Sequence, residues 1–459
     1  MQSYKKFEDT IAAISTPIGI GSISAVRISG EKAIKITERI FKARDGTSLY
    51  DVKGYHAKLG RVFDGKKPID EAVVLIFKAP KSYTGEDIAE IFCHGNVFLI
   101  KQVLRLAINN GARLANPGEF TKRAFLNGKI SLEKAEAITD LISSNYKTAL
   151  DASFSVFEGK LGEKIKEIKE KFIDILSELN ARIDYPDEDI SDLDVVNMKN
   201  KIKLANSEIL KLINSYSKGQ VIKNGVKTAI IGPPNTGKST LMNLLSGYQR
   251  AIVSDIPGTT RDTINESIVL GDLNLVLTDT AGIRETNEKI EKIGISRAID
   301  MAKTSEIILL VLDSSKEISK EEIELLNLFK KDKVLIILNK SDLKETICID
   351  EIKKYSYEIV KISAKTGSGI ENLKEKIYKL VGFAPSDTES LIMINERHLD
   401  ILNRSLKLSD DAEKLLKNEP LDMTSEIITN ILEILTEFTG ENINEEVVNM
   451  IFSKFCVGK

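Results

Sequence analysis

The sequence predicts a multidomain α/β chain, in which an α/β domain is inserted into a discontinuous all-α domain and an α+β domain precedes both. The length of 459 residues corresponds to about three domains, at roughly 150 residues each. Strand and helix patterns are mixed over residues 1–118, whereas strand signals are absent from 119–217 and 385–459. Between these helical segments, residues 218–384 alternate strand-like and helical stretches, as βαβ units require.

The composition is that of an ordinary folded protein, with 42% hydrophobic and 29% charged residues, which excludes a disordered chain. The 65 Lys and Arg residues are balanced by 68 Asp and Glu residues, so a phosphate-rich partner must meet a local basic patch or a second protein. Cys93, Cys348 and Cys456 are too few and too far apart for a disulfide framework or a four-thiolate zinc site. Because the sequence shows neither a signal peptide nor an apolar run near the ~20 residues that span a bilayer, we expect a cytoplasmic chain without membrane contact.

The first domain carries both strand and helix signals. Residues 22–29 and 71–79 are β-branched and bounded by Gly or Pro, which predicts strands. Apolar residues recur at helical spacing between Asn96 and Asn110, which predicts a helix. Asn96 is a suitable N-cap and Gly111 a suitable stop, so we expect an α+β domain.

The helical segments carry apolar seams whose members are three or four residues apart. The first seam consists of Leu161, Ile165, Ile168, Phe172, Ile175 and Leu179, and the second of Ile427, Ile431, Leu435 and Phe438. Such seams must pack against other helices, so we expect 119–217 and 385–459 to form one domain. The alternative, two independent helical domains, stays open because periodicity alone cannot pair distant helices.

The inserted domain opens with a phosphate-binding motif. Its strand-like stretches are 227–232, 273–279, 306–313 and 333–339. Gly-Pro-Pro-Asn-Thr-Gly-Lys-Ser at 232–239 fits G-x-x-x-x-G-K-[ST], between a predicted strand and a helix that begins near Thr240. The backbone N–H groups of such a loop surround phosphates. Lys238 is expected to reach the β- and γ-phosphates, and the Ser239 hydroxyl to bind Mg²⁺.

Motifs at the ends of later strands indicate guanine. Asp279-Thr-Ala-Gly282 places a carboxylate beside the metal. In Asn339-Lys-Ser-Asp342, the last carboxylate can accept two hydrogen bonds from guanine, a donor pair that adenine lacks. The Ala364 N–H is expected to reach the guanine O6 atom. The predicted GTP-binding residues are Asn235, Thr236, Gly237, Lys238, Ser239, Thr240, Ser254, Asp255, Ile256, Pro257, Gly258, Thr259, Thr260, Asp279, Thr280, Ala281, Gly282, Asn339, Lys340, Asp342, Ser363, Ala364 and Lys365. In this order they predict a Ras-like P-loop GTPase domain.

Hydrolysis needs a group that positions water. Small signalling GTPases place Gln after Asp-Thr-Ala-Gly, whereas this chain has Ile283, which cannot orient water. Glu285, Glu288 and Glu291 are all candidates for that role. The phosphate loop has no arginine, but the side-chain oxygen of Asn235 is suited to a monovalent cation in place of an arginine finger. A purely loop-shaping hydrogen bond is the equally weighted alternative for Asn235.

Long motifs in every domain resemble the MnmE (TrmE) family of tRNA modification GTPases. They are TPIGIGSISAVRISG (16–30), SYTGEDIAEIFCHG (82–95), NPGEFTKRAFLNGK (116–129), DIPGTTRD (255–262), DTAGIRE (279–285) and FCVGK (455–459). The resemblance implies an N-terminal α+β folate-binding and dimerisation domain, a discontinuous helical domain and an inserted GTPase domain. It also implies a homodimer that works with an FAD-dependent flavoprotein of the MnmG type, as a heterotetramer. Together they would add an aminomethyl-type (carboxymethylaminomethyl-type) group to carbon 5 of the wobble uridine of certain tRNAs, using a tetrahydrofolate one-carbon unit.

The resemblance also implies roles for single residues. It gives Asn235, Ser254, Ile256 and Thr259 as K⁺ ligands, Ser239 and Thr260 as Mg²⁺ ligands, and Glu291 as the glutamate that orients water. It gives Arg27, Glu90, Lys129 and Lys459 as contacts of a reduced folate of the 5-formyl- or methylene-tetrahydrofolate type. Cys456 is a candidate catalytic thiol, although a small buried hydrophobic residue is the default interpretation.

Two other classes of function stay open at the level of sequence. A ribosome-assembly GTPase would bind RNA and only hydrolyse GTP, but no basic RNA-binding module is evident. A regulatory switch would use its helical parts to bind a protein partner, and folate binding by 1–118 would argue against it.

Overall fold

The computed structural model describes residues 7–184, 192–247, 267–277, 300, 302–329, 333–384, 391–416 and 421–459. The chain folds into two compact units. The first unit comprises Met1–Thr139, Phe157–Ala205 and Arg404–Lys459, and the second comprises Asp140–Val156 and Asn206–Asn403. None of the helices in the described segments combines the length and the hydropathy that crossing a membrane requires.

The first unit begins with a seven-stranded sheet of order β3-β4-β5-β6-β2-β1-β7. Its strands are β1 Ile11–Ile14, β2 Ile23–Ser29, β3 Phe41–Ala43, β4 His56–Asp64, β5 Lys67–Phe77, β6 Ile88–His94 and β7 Arg113–Leu114. Helices Ala33–Ile40 and Val97–Asn109 bury their apolar residues against one face of this sheet. The Asn96 side chain caps the second helix by accepting from the Phe98 and Leu99 N–H groups, as predicted.

The helical segments contain eight helices among the described residues. They are Glu119–Leu126, Leu132–Ser143, Lys147–Glu158, Lys160–Asp184, Asp192–Asn224, Glu396–Leu415 and Leu421–Thr436, and an eighth, Glu445–Ser453, leads to the C-terminus. All six residues of the first predicted seam are buried on Lys160–Asp184. This helix packs against Leu421–Thr436, which confirms that the two helical segments associate. The second seam differs from the prediction at one position. Ile428 is buried and Ile427 is only half-buried, because the buried face of this helix runs through Thr424, Ile428, Ile431 and Leu435.

The second unit contains a six-stranded sheet of order β13-β12-β11-β8-β10-β9, parallel except for β9. Its strands are β8 Val226–Ile231, β9 Ser267–Leu270, β10 Leu273–Leu277, β11 Ile307–Asp313, β12 Val334–Asn339 and β13 Glu358–Lys361. Helices Lys238–Ser246, Lys320–Leu328, Ile349–Lys353 and Ile370–Leu380 follow strands β8, β11, β12 and β13. In such sheets, ligands bind outside the carboxyl ends of the strands. The fold class predicted from sequence is confirmed.

Candidate functional site

The phosphate loop connects the end of β8 to helix Lys238–Ser246. Gly237 is the N-cap of this helix and has a φ of 93°, a left-handed conformation that favours glycine. A Cβ atom at Gly237 would overlap the side-chain nitrogen of Asn339, and one at Gly232 would overlap the Val311 carbonyl. The glycines therefore allow both the curl of the loop and its close contact with two neighbouring strands. Helix begins two residues earlier than the predicted Thr240, so Ser239 and Thr240 lie exposed in its first turn.

The ammonium group of Lys238 folds back over the loop. Its Nζ atom donates to the carbonyls of Gly232 and Pro233, at 2.7 and 2.6 Å. Burial lowers the pKa of Lys238 to about 8. A phosphate anion in the loop would restore the preference for the charged amine and draw it away from the carbonyls.

Asn339 joins the phosphate loop to the predicted base-recognition segment. Its Nδ2 atom donates to the Thr236 carbonyl at 2.8 Å, and its Oδ1 atom accepts from the Ala364 N–H at 2.9 Å. The Ala364 N–H, which we expected at guanine O6, thus has an acceptor within the protein. Asn339 is buried and holds both segments beside one another.

Asp342 is exposed at the end of the same motif. The Ser363 hydroxyl donates to its Oδ1 atom at 2.6 Å, and this hydrogen bond lowers the pKa of the Asp342 carboxyl. The group is therefore ionised at neutral pH, as acceptance of two hydrogen bonds from guanine requires. Lys365, next to the Asn339 contact at Ala364, contributes a further positive charge to this lowering.

A second cluster of predicted residues forms on the N-terminal sheet. Arg27 and Glu90 are cross-strand neighbours on β2 and β6, and the Arg27 Nε atom donates to the Glu90 Oε1 atom at 2.7 Å. The guanidinium of Arg27 lies 5.6 Å from the ring centroids of both Tyr83 and Phe120. We had assigned no role to either aromatic residue, because the residues meet only through the fold.

The C-terminus reaches the same cluster. Gly118 donates its N–H to the Cys456 carbonyl at 3.2 Å. Burial lowers the pKa of Lys459, and the nearby positive charge of Arg27 lowers it further. Two cations and one carboxylate thus lie together on this face, with the exposed Cys456 adjacent.

Lys129 lies in the turn after helix Glu119–Leu126 and contacts the loop that carries Tyr83. It donates to the Pro80 carbonyl at 3.0 Å and packs beside Gly85. Its ammonium group is exposed, so it can meet an anion at the edge of the cluster.

Comparison with known proteins identifies the family. A model described as GTP-binding protein TrmE N-terminus matches residues 10–129, and one described as MnmE helical domain matches 132–456. The tRNA modification GTPase MnmE of Clostridioides difficile is 41% identical over 98% of this chain and 99% of its own length. The chain belongs to the MnmE family of tRNA modification GTPases. MnmE of Natranaerobius thermophilus is likewise 41% identical, over 98% of this chain and all of its own. Among solved structures, the G domain of the T. maritima FeoB iron transporter covers 34% of this chain and 98% of its own, at 27% identity and a TM-score of 0.24.

The MnmE family assignment covers several predicted residues whose structure is not described. These are the seven residues Ser254 to Thr260, the four residues Asp279 to Gly282, and Glu291, all of which lie outside the described residues. The predicted residues that the structure does describe therefore lie in the phosphate loop and the base-recognition segment of the second unit and, separately, in the N-terminal cluster of the first.

Proposed function

We propose that this chain hydrolyses GTP in a reaction that depends on Mg²⁺ and K⁺, and that hydrolysis drives modification of tRNA. The observation that carries this proposal is the pair of hydrogen bonds by which Asn339, at the carboxyl end of β12, joins the phosphate loop to Ala364. The neighbouring Ser363 holds the ionised Asp342 at the same edge of the sheet. Ser239 lies exposed in the first turn after the loop and supports one Mg²⁺ ligand, with Thr260 as the second. Lys238 would neutralise charge on the phosphates.

The chemistry of the loop supports a monovalent cation. Asn235 is exposed in the phosphate loop, and its side chain forms no hydrogen bond with another described residue. The loop-shaping role that we weighed equally for this side chain therefore has no support among the described contacts. In the proposal, Asn235, Ser254, Ile256 and Thr259 hold K⁺, and Glu291 orients the attacking water in place of a glutamine.

A comparison of GTPase rates tests the cation. We expect turnover in K⁺ to exceed turnover in Na⁺ at equal ionic strength by at least about tenfold, because a group positioned on developing charge contributes about 10²–10³ in rate and Na⁺ would replace part of it. Asn235→Ala should abolish the difference, whereas Asn327→Ala, an exposed asparagine of the same unit, should preserve it. Glu291→Ala should slow turnover while GTP still binds. Identical rates in the two salts would contradict the K⁺ proposal.

We further propose that the N-terminal cluster binds a reduced folate. Arg27, Lys129 and Lys459 supply cations for the folate glutamate carboxylates, and Glu90 supplies an acceptor for pterin N–H groups. Cys456 is adjacent to this cluster, which supports its candidacy as a catalytic thiol. The folate would supply a one-carbon unit for carbon 5 of the wobble uridine, with the flavoprotein partner providing redox chemistry.

The domain division 1–118, 119–217, 218–384 and 385–459 and the homodimer are part of the same proposal. One face of the N-terminal sheet lacks the two covering helices and exposes Ile23, Leu59 and Val73. Apolar side chains that are exposed to solvent on one face of a sheet favour association with a second copy of the chain. Nucleoside analysis of tRNA from the cytoplasm of cells lacking this protein tests the modification. If the wobble uridines carry the same modification with and without the protein, the modification proposal is wrong and only the GTPase proposal stays.

A further inference from the structure

Asp313 is the last residue of β11 and belongs to none of the nucleotide-binding motifs recognised in the sequence. Its side chain is 5% exposed, so its charge needs partners. The backbone register places it beside Asn339, the first residue of the base-recognition motif. It therefore lies under the nucleotide site at the carboxyl end of the sheet.

Both oxygens of the Asp313 carboxylate are fixed. Lys340 donates to Oδ2 at 2.6 Å, and Ser315 donates to Oδ1 through its hydroxyl at 2.7 Å and its N–H at 3.0 Å. Burial by itself would raise the pKa of Asp313, but these hydrogen bonds outweigh burial and hold the pKa below its ordinary value. The carboxylate is thus a fixed negative charge.

Lys340 uses a second hydrogen bond to reach the phosphate loop. The same Nζ atom that pairs with Asp313 donates to the Asn235 carbonyl at 2.8 Å. Asn235 and Lys340 have φ angles of 62° and 64°, which are uncommon for residues other than glycine and persist only where the surroundings hold them. The next carbonyl, of Thr236, is held by Asn339.

These contacts form a chain from β11 through β12 to the phosphate loop. The Asn339 amide is short and buried, whereas the lysine side chain has four rotatable carbons and takes its position from the anion that it meets. Without Asp313, the ammonium group of Lys340 would be drawn to water and would leave the Asn235 carbonyl.

We propose that Asp313 is a positioning residue for guanine-nucleotide binding, which holds Lys340 against the Asn235 carbonyl and so ties the phosphate loop to the base-recognition motif 339–342. The inference rests on the proposed function, because it takes a guanine nucleotide as the ligand. Since Asn235 also carries the proposed K⁺ ligand, the same contact fixes the backbone from which that ligand extends.

Titration of the full-length chain with GDP tests the inference. Asp313→Asn should weaken GDP binding about tenfold, the usual size of a lost charge-assisted hydrogen bond. Lys340→Met should weaken it at least as much, and the double variant should bind no more weakly than Lys340→Met alone, because both changes break one chain of contacts. Additive losses, or GDP affinity of Asp313→Asn within about twofold of the unchanged chain, would overturn the inference.

A third variant separates charge from shape. Asp313→Glu keeps the carboxylate and should retain more GDP affinity than Asp313→Asn, which keeps the shape. A merely structural role would give the opposite order, and that order would also overturn the inference. Glu358→Gln removes a carboxylate that pairs with Lys376 and Lys379 at the start of β13, away from the carboxyl ends of the strands, and should leave GDP affinity unchanged.

The outcomes distinguish this inference from the proposed function. If the unchanged chain binds no GDP, the proposed function is wrong. If it binds GDP and Asp313→Asn binds equally well, only the role of Asp313 is wrong. Equal GTPase rates in K⁺ and Na⁺ would remove the cation proposal and leave the GDP-binding test intact.

Discussion

At the scale of single residues, Gly237 is a position where the phosphate loop tolerates little change. We expect Gly237→Ala to weaken GDP binding about a hundredfold, because strain at positive φ adds to a displaced Asn339 hydrogen bond. Isothermal titration with GDP measures the loss. Gly382→Ala is the control, since Gly382 has a φ of 65° but no atom within 4 Å of an added Cβ. Equal GDP affinities for the two variants would show that the overlap with Asn339 is unimportant.

The carboxylates around Arg113 make stability depend on pH. Burial raises the pKa of Asp9 and of Glu119, but hydrogen bonds from Arg113 and Arg123 outweigh it, so both pKa values lie below their ordinary range. Such groups stabilise the fold fully above their unfolded pKa values, near ~4, and the contribution is lost as pH falls through the lower folded values. We therefore expect the thermal midpoint to stay level from about pH 7 to pH 5 and to fall below about pH 4.

Arg113→Gln tests the origin of this pH dependence. It should cost about 1 kcal/mol or less at pH 7, since Arg113 is 44% exposed. It should also make the acid loss of the thermal midpoint smaller, because the pKa values of Asp9 and Glu119 then move back toward their unfolded values. Arg39→Gln removes an exposed arginine that donates to the Asn110 carbonyl and pairs with no carboxylate of the described segments, so it serves as the control. Superimposable pH profiles for all three proteins would show that Arg113 does not lower these pKa values.

The motifs of the nucleotide site could be predicted from sequence because each is a short run of residues with its own chemistry. The contact between Asp313 and Lys340 could not. It joins the ends of two strands, and only the parallel register of β11 and β12 makes them neighbours. The cation–aromatic contacts of Arg27 with Tyr83 and Phe120 escape prediction for the same reason.

At the scale of elements, helix Lys160–Asp184 depends on its buried seam. Phe172→Ala should destabilise the chain by about 3–5 kcal/mol, because Phe172 is fully buried where the helix packs against Leu421–Thr436. Urea denaturation measures the change. Ile173→Ala, one residue on and 46% exposed, should cost less than about 1 kcal/mol. A Phe172→Ala cost as small as that of Ile173→Ala would contradict the packing.

This helix could be predicted because its period of three and four residues is sustained over five turns. Strand β4, His56–Asp64, gives no such signal. Only Gly60 and Val62 of its nine residues are buried, so the strand lacks the regular alternation of buried apolar and exposed polar residues that marks a strand in a sequence. The strand forms because β3 and β5 pair with it on both sides, a long-range effect that local sequence does not encode.

At the scale of the whole molecule, Gly458 and Lys459 bring the far end of the sequence to the cluster that Arg27 and Glu90 form on the N-terminal sheet. Gly458 packs against the Ile14 carbonyl at the end of β1, and Lys459 lies near the charge of Arg27. A cluster with two cations favours ligands that carry carboxylates, as a folate does. We therefore expect Lys459→Gln, which removes the charge and keeps a polar side chain, to weaken 5-formyltetrahydrofolate binding about tenfold.

Fluorescence titration of the full-length protein with this folate measures the effect. The thermal midpoint should stay unchanged, because the Lys459 ammonium group forms no hydrogen bond or ion pair with the part of the chain that the structure describes. Lys454→Ala, an exposed lysine just before the same C-terminal segment, is the matched control and should bind as the unchanged chain does. If Lys459→Gln and Lys454→Ala bind equally well, the terminal lysine does not contact the ligand. If the unchanged chain binds no reduced folate, the cluster takes another ligand, and the folate proposal is wrong.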